Sequence, residues 1–170
     1  MKNTIKFILF VVIIASITSC KSNKYSFLNE YPAKTVPLVD STNFSNHVET
    51  KLLTKTQQDL LKLPSIFEEQ LDDEKAKIGV SYLPKLSENY KSVVYYFYPN
   101  NTELISMLVN YDENYNIINS QVLAYDEIVE GVLKTTSTLN KNSIELVEHI
   151  SDDSSTIIFN ILEDGNITRD

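Results

Sequence analysis

The chain has 170 residues, a formal net charge of −8 at pH 7, 42% apolar residues and a single cysteine. That length suits one domain behind a short leader, and the apolar content is sufficient for a hydrophobic core. The acidic balance argues against nucleic acid as a partner, because the phosphate backbone selects basic surfaces. One cysteine rules out a disulfide framework within the chain, so the fold must depend on its core.

The first twenty residues have the pattern of an export signal. Lys2 and Lys6 lead into the uncharged apolar stretch Phe7–Ala15. This stretch is shorter than the about 20 apolar residues that a membrane-spanning helix needs. It is followed by Ile17–Cys20, with the sequence Ile-Thr-Ser-Cys. These four residues resemble the lipobox of bacterial lipoproteins, with Ile where Leu is commonest and Ser where Gly or Ala is commonest.

The lipobox resemblance implies where in the cell the protein is located. Residues 1–19 would be a signal peptide, and Cys20 would be the lipid attachment site that receives diacylglycerol and palmitate. Several acyl chains make a firm membrane anchor, whereas one alone is marginal. Lys21 after the cysteine, rather than Asp, is similar to lipoproteins that reach the outer membrane of Gram-negative bacteria. We therefore expect a lipid-anchored protein of the cell envelope; the alternative is an ordinary secretory signal with an incidental Cys20.

The region after Cys20 divides into a tether and a domain. Lys21–Ser45 shows no hydrophobic period and contains Pro32 and Pro37, which is typical of an extended linker. We therefore predict a lipid-anchored tether over residues 20–42. A single domain is predicted over residues 43–170, and we expect it to fold without the tether.

Two helices are predicted at the start of this domain. Thr54 with Gln57 and Ser65 with Glu68 match the capping box, in which a hydroxyl and a later side chain bond each other's backbone amides. The first helix should cover about residues 55–62 and end before Pro64, and the second should run from Ser65 to about Glu74. Acidic side chains between Glu68 and Glu74 are expected to form a solvated face.

A period of two replaces the helical period from Ala76 onward, which predicts strands. Short polar turns such as Pro99-Asn100-Asn101 separate the strands, and such turns join antiparallel neighbours. The sequence therefore predicts an α+β domain in which two short N-terminal helices precede an antiparallel β-meander of about seven strands. A closed lipocalin-like β-barrel is the alternative. The predicted strands are Ala76–Tyr82, Ser92–Tyr98, Glu103–Tyr111, Tyr115–Tyr125, Gly131–Leu139, Ile144–Ile150 and Ser155–Leu162.

The strands differ in how many of their faces are apolar. Val93–Tyr98 is apolar or aromatic at every position, which predicts that helices cover one side of it and the core covers the other. In the last two strands, Ile144–Ile150 and Ser155–Leu162, apolar and polar residues alternate. Those strands should have one buried face and one wet face.

The sequence contains no recognisable catalytic or metal-binding pattern. Its two histidines, His47 and His149, have no ligand or nucleophile at a useful spacing. Its three glycines are isolated, so a phosphate-binding loop is not expected. We therefore expect no enzymatic activity, no metal and no cofactor.

Tyrosines are concentrated in the central strands and are the best candidates for a binding face. Tyrosine combines a flat apolar ring with a polar tip, which suits contacts with carbohydrate or with another protein. Ordinary packing is the competing interpretation, because strands favour tyrosine. The candidate residues are Tyr95, Tyr96, Tyr98, Tyr111, Tyr115 and Tyr125.

One further resemblance concerns the segment Leu108–Glu127. Its sequences Val-Asn-Tyr-Asp before a turn and Ile-Ile-Asn-Ser after it resemble hairpins of small Gram-negative envelope lipoproteins that have no assigned activity. We expect a non-enzymatic binding or structural module that meets the membrane through Cys20 and a protein or glycan through the domain. One alternative is a carboxylate-dependent hydrolase of envelope glycans. Another is an inhibitor or immunity-type protein whose acidic face meets a basic partner.

Overall fold

The computed structural model describes residues 24–71, 76–128 and 133–170. The predicted signal peptide, the lipid attachment site Cys20 and the acidic residues Asp72–Glu74 lie outside these ranges. The chain divides into two units, Met1–Glu30 and Tyr31–Asp170. In the described part of the first unit, Ser26–Glu30 forms a 3-10 helix. No helix within the described ranges is long and apolar enough to cross a membrane.

The second unit consists mainly of one ten-stranded sheet. Two short α-helices, α1 (Lys55–Leu60) and α2 (Pro64–Leu71), precede its main part. The strands are β1 (Ala33–Lys34), β2 (Leu38–Asp40), β3 (Lys77–Pro84), β4 (Lys91–Tyr98), β5 (Glu103–Tyr111), β6 (Ile117–Glu127), β7 (Leu133–Leu139), β8 (Ser143–Ile150), β9 (Asp153–Ile161) and β10 (Ile167–Arg169).

The antiparallel meander predicted from the sequence is confirmed from β3 to β9, where each strand pairs with the next. β1 pairs in parallel with β3 at one end of the sheet, and β10 pairs with β9 at the other. The expectation of an α+β domain is wrong, because two short helices accompany ten strands and the fold is mostly β. The barrel alternative is wrong as well, since the strand order begins at β1 and ends at β10 without closing.

Two of the unpredicted strands lie in the segment assigned to the tether. β2 pairs antiparallel with β7, with Leu38 opposite Leu139 and Asp40 opposite Ser137. In the described residues, β6 and β7 pair at only two positions near Tyr125, so β2 occupies the side of β7 that β6 leaves open. The folded unit therefore begins at Tyr31 rather than at residue 43.

Strand β4 is covered on both faces, as its sequence predicts. On one face, Phe97 packs against Phe67 of α2 with ring centroids 4.5 Å apart. On the other face, Val94 belongs to a core shared by β3, β5, β6, β7, β8 and β9, which includes Tyr82 and Leu139. We call the first the helix face of the sheet and the second the inner face.

The helix starts agree only in part with the predicted caps. Thr54 forms the expected capping box with Gln57 at the start of α1. The second box is wrong, because α2 begins at Pro64, and the Ser65 hydroxyl donates to the Lys62 carbonyl at 2.7 Å. Proline suits the first helical position because its missing N–H has no partner there in any case.

Candidate binding cleft

Three of the six candidate tyrosines are fully buried and hold the sheet together. The Tyr95 and Tyr111 hydroxyls lie 2.9 Å apart on the helix face, and Tyr111 donates to the Leu61 carbonyl at 3.1 Å. Tyr96 lies on the inner face and donates to the Thr50 carbonyl at 2.7 Å. Burial raises the pKa of Tyr95 well above its ordinary value. These side chains therefore have a structural role.

The other three tyrosines are half-buried and separated from one another. Tyr115 lies in the β5–β6 turn beneath the Lys91 ammonium, which is 4.5 Å from its ring centre. Tyr125 donates to the Glu127 carboxylate at 3.0 Å, and burial is the main reason that its pKa rises to about 12. Tyr98 ends β4. The six candidates therefore do not share one exposed face, but Tyr98 lines a cleft.

The cleft at Tyr98, called the Tyr98 cleft below, has a volume of about 280 Å³. It combines aromatic, charged and amide side chains from the strand ends and from the segment before α1. Its lining residues are Phe44, Glu49, Lys77, Tyr98, Asn100, Asn101 and Ile128.

Aromatic rings form one side of the Tyr98 cleft. The ring centres of Phe44 and Tyr98 are 5.9 Å apart and tilted by 47°. His47 lies behind them, 5.7 Å from the Tyr98 ring and 4.5 Å from the Tyr96 ring. Its Nε2 atom is buried and has no hydrogen-bond partner among the described residues. Burial lowers the pKa of His47, against the opposing effects of Glu49 and Asp40.

Polar groups form the other side. The Lys77 ammonium lies 3.9 Å from the Glu49 carboxylate, and both side chains are about half exposed. Burial, and then the charge of Glu49, raise the pKa of Tyr98 to about 12. The Tyr98 hydroxyl therefore stays protonated at neutral pH and remains a hydrogen-bond donor.

The β4–β5 turn is fixed by its own asparagine. The side-chain oxygen of Asn100 accepts from the Thr102 amide and hydroxyl, both at 2.8 Å, and from the Glu103 amide at 3.1 Å. This Asx-type turn holds the neighbouring Asn101 at the rim of the cleft.

Phe44, His47 and Glu49 belong to residues 41–53, which join β2 to α1 and which we call the strap. The Phe44 amide donates to the Asp126 carboxylate at 2.9 Å, and the Thr50 hydroxyl donates to the Val80 carbonyl at 2.8 Å. The strap is thus bonded to β6 and β3, on either side of the cleft.

A buried carboxylate fixes the start of the strap. Asp40 is 4% exposed. One of its oxygens accepts from the Tyr82 hydroxyl at 2.8 Å and the Ser106 hydroxyl at 2.7 Å. Its other oxygen accepts from the Thr42 amide at 3.1 Å and hydroxyl at 2.7 Å. Asp40 therefore accepts four hydrogen bonds, which meet the need of a buried carboxyl group for polar partners. These bonds hold β2 against the inner face.

Sequence reasoning missed most of the cleft. The sequence could have predicted that Lys77 and Tyr98 lie side by side, because they are opposite residues of the predicted β3–β4 hairpin. The Asn100-Asn101 turn was identified as a turn only. Phe44 and Glu49 give no signal in the sequence, since their position depends on how the strap docks.

The described residues were also searched for a metal site and for a catalytic histidine. Within the described ranges, no three side chains of the His, Cys, Asp or Glu type are grouped to hold a metal ion. His149 is exposed on β8, opposite Lys134 and Ser154 on the neighbouring strands.

No protein-family model, curated protein or solved structure matches this chain. The function therefore has to be inferred from the residues of the Tyr98 cleft.

Proposed function

We propose that this protein is a non-enzymatic binding module, anchored to the cell envelope through a lipid on Cys20, and that its Tyr98 cleft binds a carbohydrate chain. The observation that carries the proposal is the paired rings of Phe44 and Tyr98, 5.9 Å apart, beside charged and amide groups. Sugars present apolar C–H faces with hydroxyls around their edges, so they match a ring surface with a polar border.

The polar border offers both kinds of hydrogen-bonding group. Glu49 accepts hydrogen bonds from sugar hydroxyls, while Lys77 and the amide of Asn101 donate to them. The Lys77–Glu49 contact of 3.9 Å is long for a hydrogen bond and half exposed, so a ligand can bond both groups at little cost.

Binding is favoured over hydrolysis by the number of acids in the cleft. A glycosidase of the usual kind needs two carboxyl groups on opposite sides of the scissile bond, about 5 to 10 Å apart. Among the described residues that line the Tyr98 cleft, Glu49 is the single acidic one. These residues therefore supply one of the two acids that a carboxylate-dependent hydrolase uses.

The carbohydrate part of the proposal is tested with the purified lipoprotein in detergent and an array of bacterial envelope oligosaccharides. Tyr98→Ala should weaken binding of any positive oligosaccharide by about tenfold or more. Tyr98→Phe keeps the ring and should lose only a few-fold. Tyr125→Ala, a half-buried tyrosine that does not line the cleft, is the matched control. Equal binding by wild type and Tyr98→Ala, or cleavage of the oligosaccharide, would contradict the proposal.

The envelope part rests on the lipobox and needs its own experiment. Cys20→Ser removes the thiol that would receive the lipid, so the protein should move from the membrane fraction to the soluble fraction. Ser19→Ala keeps the cysteine and serves as the control. If the Cys20→Ser protein still sediments with membranes, it is not a lipoprotein of this type.

A further inference from the structure

A second cleft lies at the opposite end of β4. It is centred on Tyr90, one residue before the strand, and has a volume of about 480 Å³. Tyr90 and Tyr98 are eight residues apart, which in a strand is about 26 Å. This Tyr90 cleft is therefore separate from the Tyr98 cleft, and the proposed function makes no use of it.

The β3–β4, β7–β8 and β9–β10 turns line the Tyr90 cleft, and the last two are each bonded to a neighbouring strand. The Ile161 amide donates to the Asn142 carbonyl at 2.9 Å, which ties β9 to the β7–β8 turn. The Asn110 side chain donates to the Gly165 carbonyl at 2.9 Å, which ties β5 to the β9–β10 turn. Because these bonds hold the cleft before any ligand arrives, little ordering is required on binding.

The floor of the Tyr90 cleft is apolar and tightly packed. Leu86, Tyr90 and Ile161 line it and are buried. Gly165 has a φ of +89°, and a Cβ at this position would lie 3.0 Å from the Tyr90 ring. The β9–β10 turn thus packs closely on the ring and fixes its position.

Two opposite charges stand at the rim. Lys141 comes from the β7–β8 turn and Glu163 from the β9–β10 turn, and both are exposed. Two ion pairs, Lys55–Asp59 and Lys77–Glu49, occur in the part of the chain that the structure describes, and neither involves these residues. Lys141 and Glu163 are therefore both available to a ligand.

We propose that the Tyr90 cleft binds a short peptide with free termini. Its carboxylate would lie at Lys141, its ammonium at Glu163, and an apolar side chain on the floor of Leu86, Tyr90 and Ile161. A ligand with one charge of each sign and an apolar centre complements all three features of the cleft. A neutral sugar would leave both charges without partners, so this inference goes beyond the proposed function.

The test uses the tripeptide Ala-Leu-Ala and the purified full-length lipoprotein, with binding followed by calorimetry. The peptide with free termini should bind, and its N-acetylated, C-amidated form should bind about tenfold more weakly or worse, because both charge contacts are lost. Lys141→Ala and Glu163→Gln should each weaken binding of the free peptide about five- to tenfold. Both residues are exposed, so these variants should keep the wild-type melting temperature.

Matched controls separate this cleft from the rest of the surface. Lys134→Ala and Glu145→Gln change the same residue types outside the cleft and should leave peptide affinity unchanged. Tyr98→Ala should also leave it unchanged, whatever becomes of oligosaccharide binding. Three results would overturn the inference: no binding at about 10 mM peptide, a weak regime in which simple ligands are still measurable; equal affinity for free and capped peptide; or loss of binding in the controls.

Discussion

Strands β4 and β9 belong to the same sheet but differ in what covers them. Six of the eight β4 residues are fully or almost fully buried, and they include both Tyr96 and Phe97. On β9, only Ile161 is buried, and Ile158 is 47% exposed. On the helix face of β4, Phe97 packs against Phe67 of α2. On the inner face, Val94 lies in the shared core and Tyr96 donates to the Thr50 carbonyl of the strap.

The difference shows that polar and apolar residues alternate in a strand when the fold covers one of its faces, and that the alternation disappears when both faces are covered. Antiparallel strands usually keep one wet face, and a strand that is apolar at every position needs a second cover. In this fold the core covers the inner face of β4, and Phe67 of α2 covers Phe97 on the opposite face. The contribution of each covering segment to the stability of the fold can be measured by deleting or substituting its residues.

Deletion of residues 31–42 should have the largest effect, since it removes β1, β2 and the buried Asp40 together. Tyr82 and Ser106 would lose their shared acceptor. We expect the cooperative unfolding transition in urea to be lost, as followed by tyrosine fluorescence and circular dichroism.

A point variant provides the smaller counterpart of this deletion. Asp40→Ala keeps β2 but leaves buried hydroxyls without an acceptor, and should lower the free energy of unfolding by about 2 to 4 kcal/mol. Val39→Ala, on the adjacent exposed position, is the control. A deletion variant that unfolds as cooperatively as the wild type would show that residues 31–42 are a tether after all.

The next largest effect should come from Phe97→Ala on β4. Phe97 is fully buried and its ring lies 4.5 Å from that of Phe67. Removing it leaves a cavity between sheet and helices that should cost about 3 to 5 kcal/mol. Urea melts give the value, and a cost below about 1 kcal/mol would mean that the helices collapse into the space.

Phe159→Ala makes the matching change on β9 and should cost less. Phe159 is half-buried against the inner core, so we expect about 1 to 3 kcal/mol. Asn160→Ala, one residue along, removes a side-chain hydrogen bond to the Asp170 carboxylate and should cost less than about 0.5 kcal/mol. Equal costs for Phe97→Ala and Phe159→Ala would remove the contrast between the two strands.

The smallest predicted effect is a pH dependence from His47. Burial holds the pKa of His47 below its ordinary value of 6.5, so the unfolded chain binds this proton more tightly than the folded chain. His47 therefore favours the fold fully above about pH 6.5, and this stabilisation is lost as pH falls through the folded pKa.

The measurement compares melting temperatures at pH 7.5 and pH 5.5. We expect a fall of about 1 to 2 °C from His47, small because the ring is partly exposed. Tyr96, Tyr98, Glu49 and Asp40 are the titratable groups that face it. His47→Asn should reduce the fall, and His149→Asn, an exposed histidine on β8, is the control. A fall of the same size in His47→Asn would assign it to other groups.

The sequence predicts the long strands because most of them alternate with a period of two, and β4 is an apolar run bounded by turn residues. β3 to β9 were all found within a few residues of their ends, and Thr54 marked the start of α1. β1, β2 and β10 have two or three residues each, which is too short for a period to show. The places of β1 and β2 also depend on partners far along the chain. Without these three strands the two short helices carried too much weight, and the predicted fold class was wrong.

The site was harder to predict than the strands. On β4 both faces are apolar, so the sequence does not distinguish the buried Tyr95 and Tyr96 from the cleft residue Tyr98. The cleft also needs Phe44 and Glu49, whose positions follow from the docking of β2. Docking of β2 depends in turn on hydrogen bonds between residues more than forty positions apart.

The pairing of β2 with β7 also sets an order of events during folding. β2 leaves the ribosome early, but its partner around Leu139 follows about a hundred residues later, and such distant pairing is slow to form. The hairpins from β3 to β6 can assemble first, while β2 and the open side of β7 wait. Until they meet, three backbone positions of β7 can pair with another chain. Newly made molecules should therefore be most prone to aggregate in the interval before β2 docks.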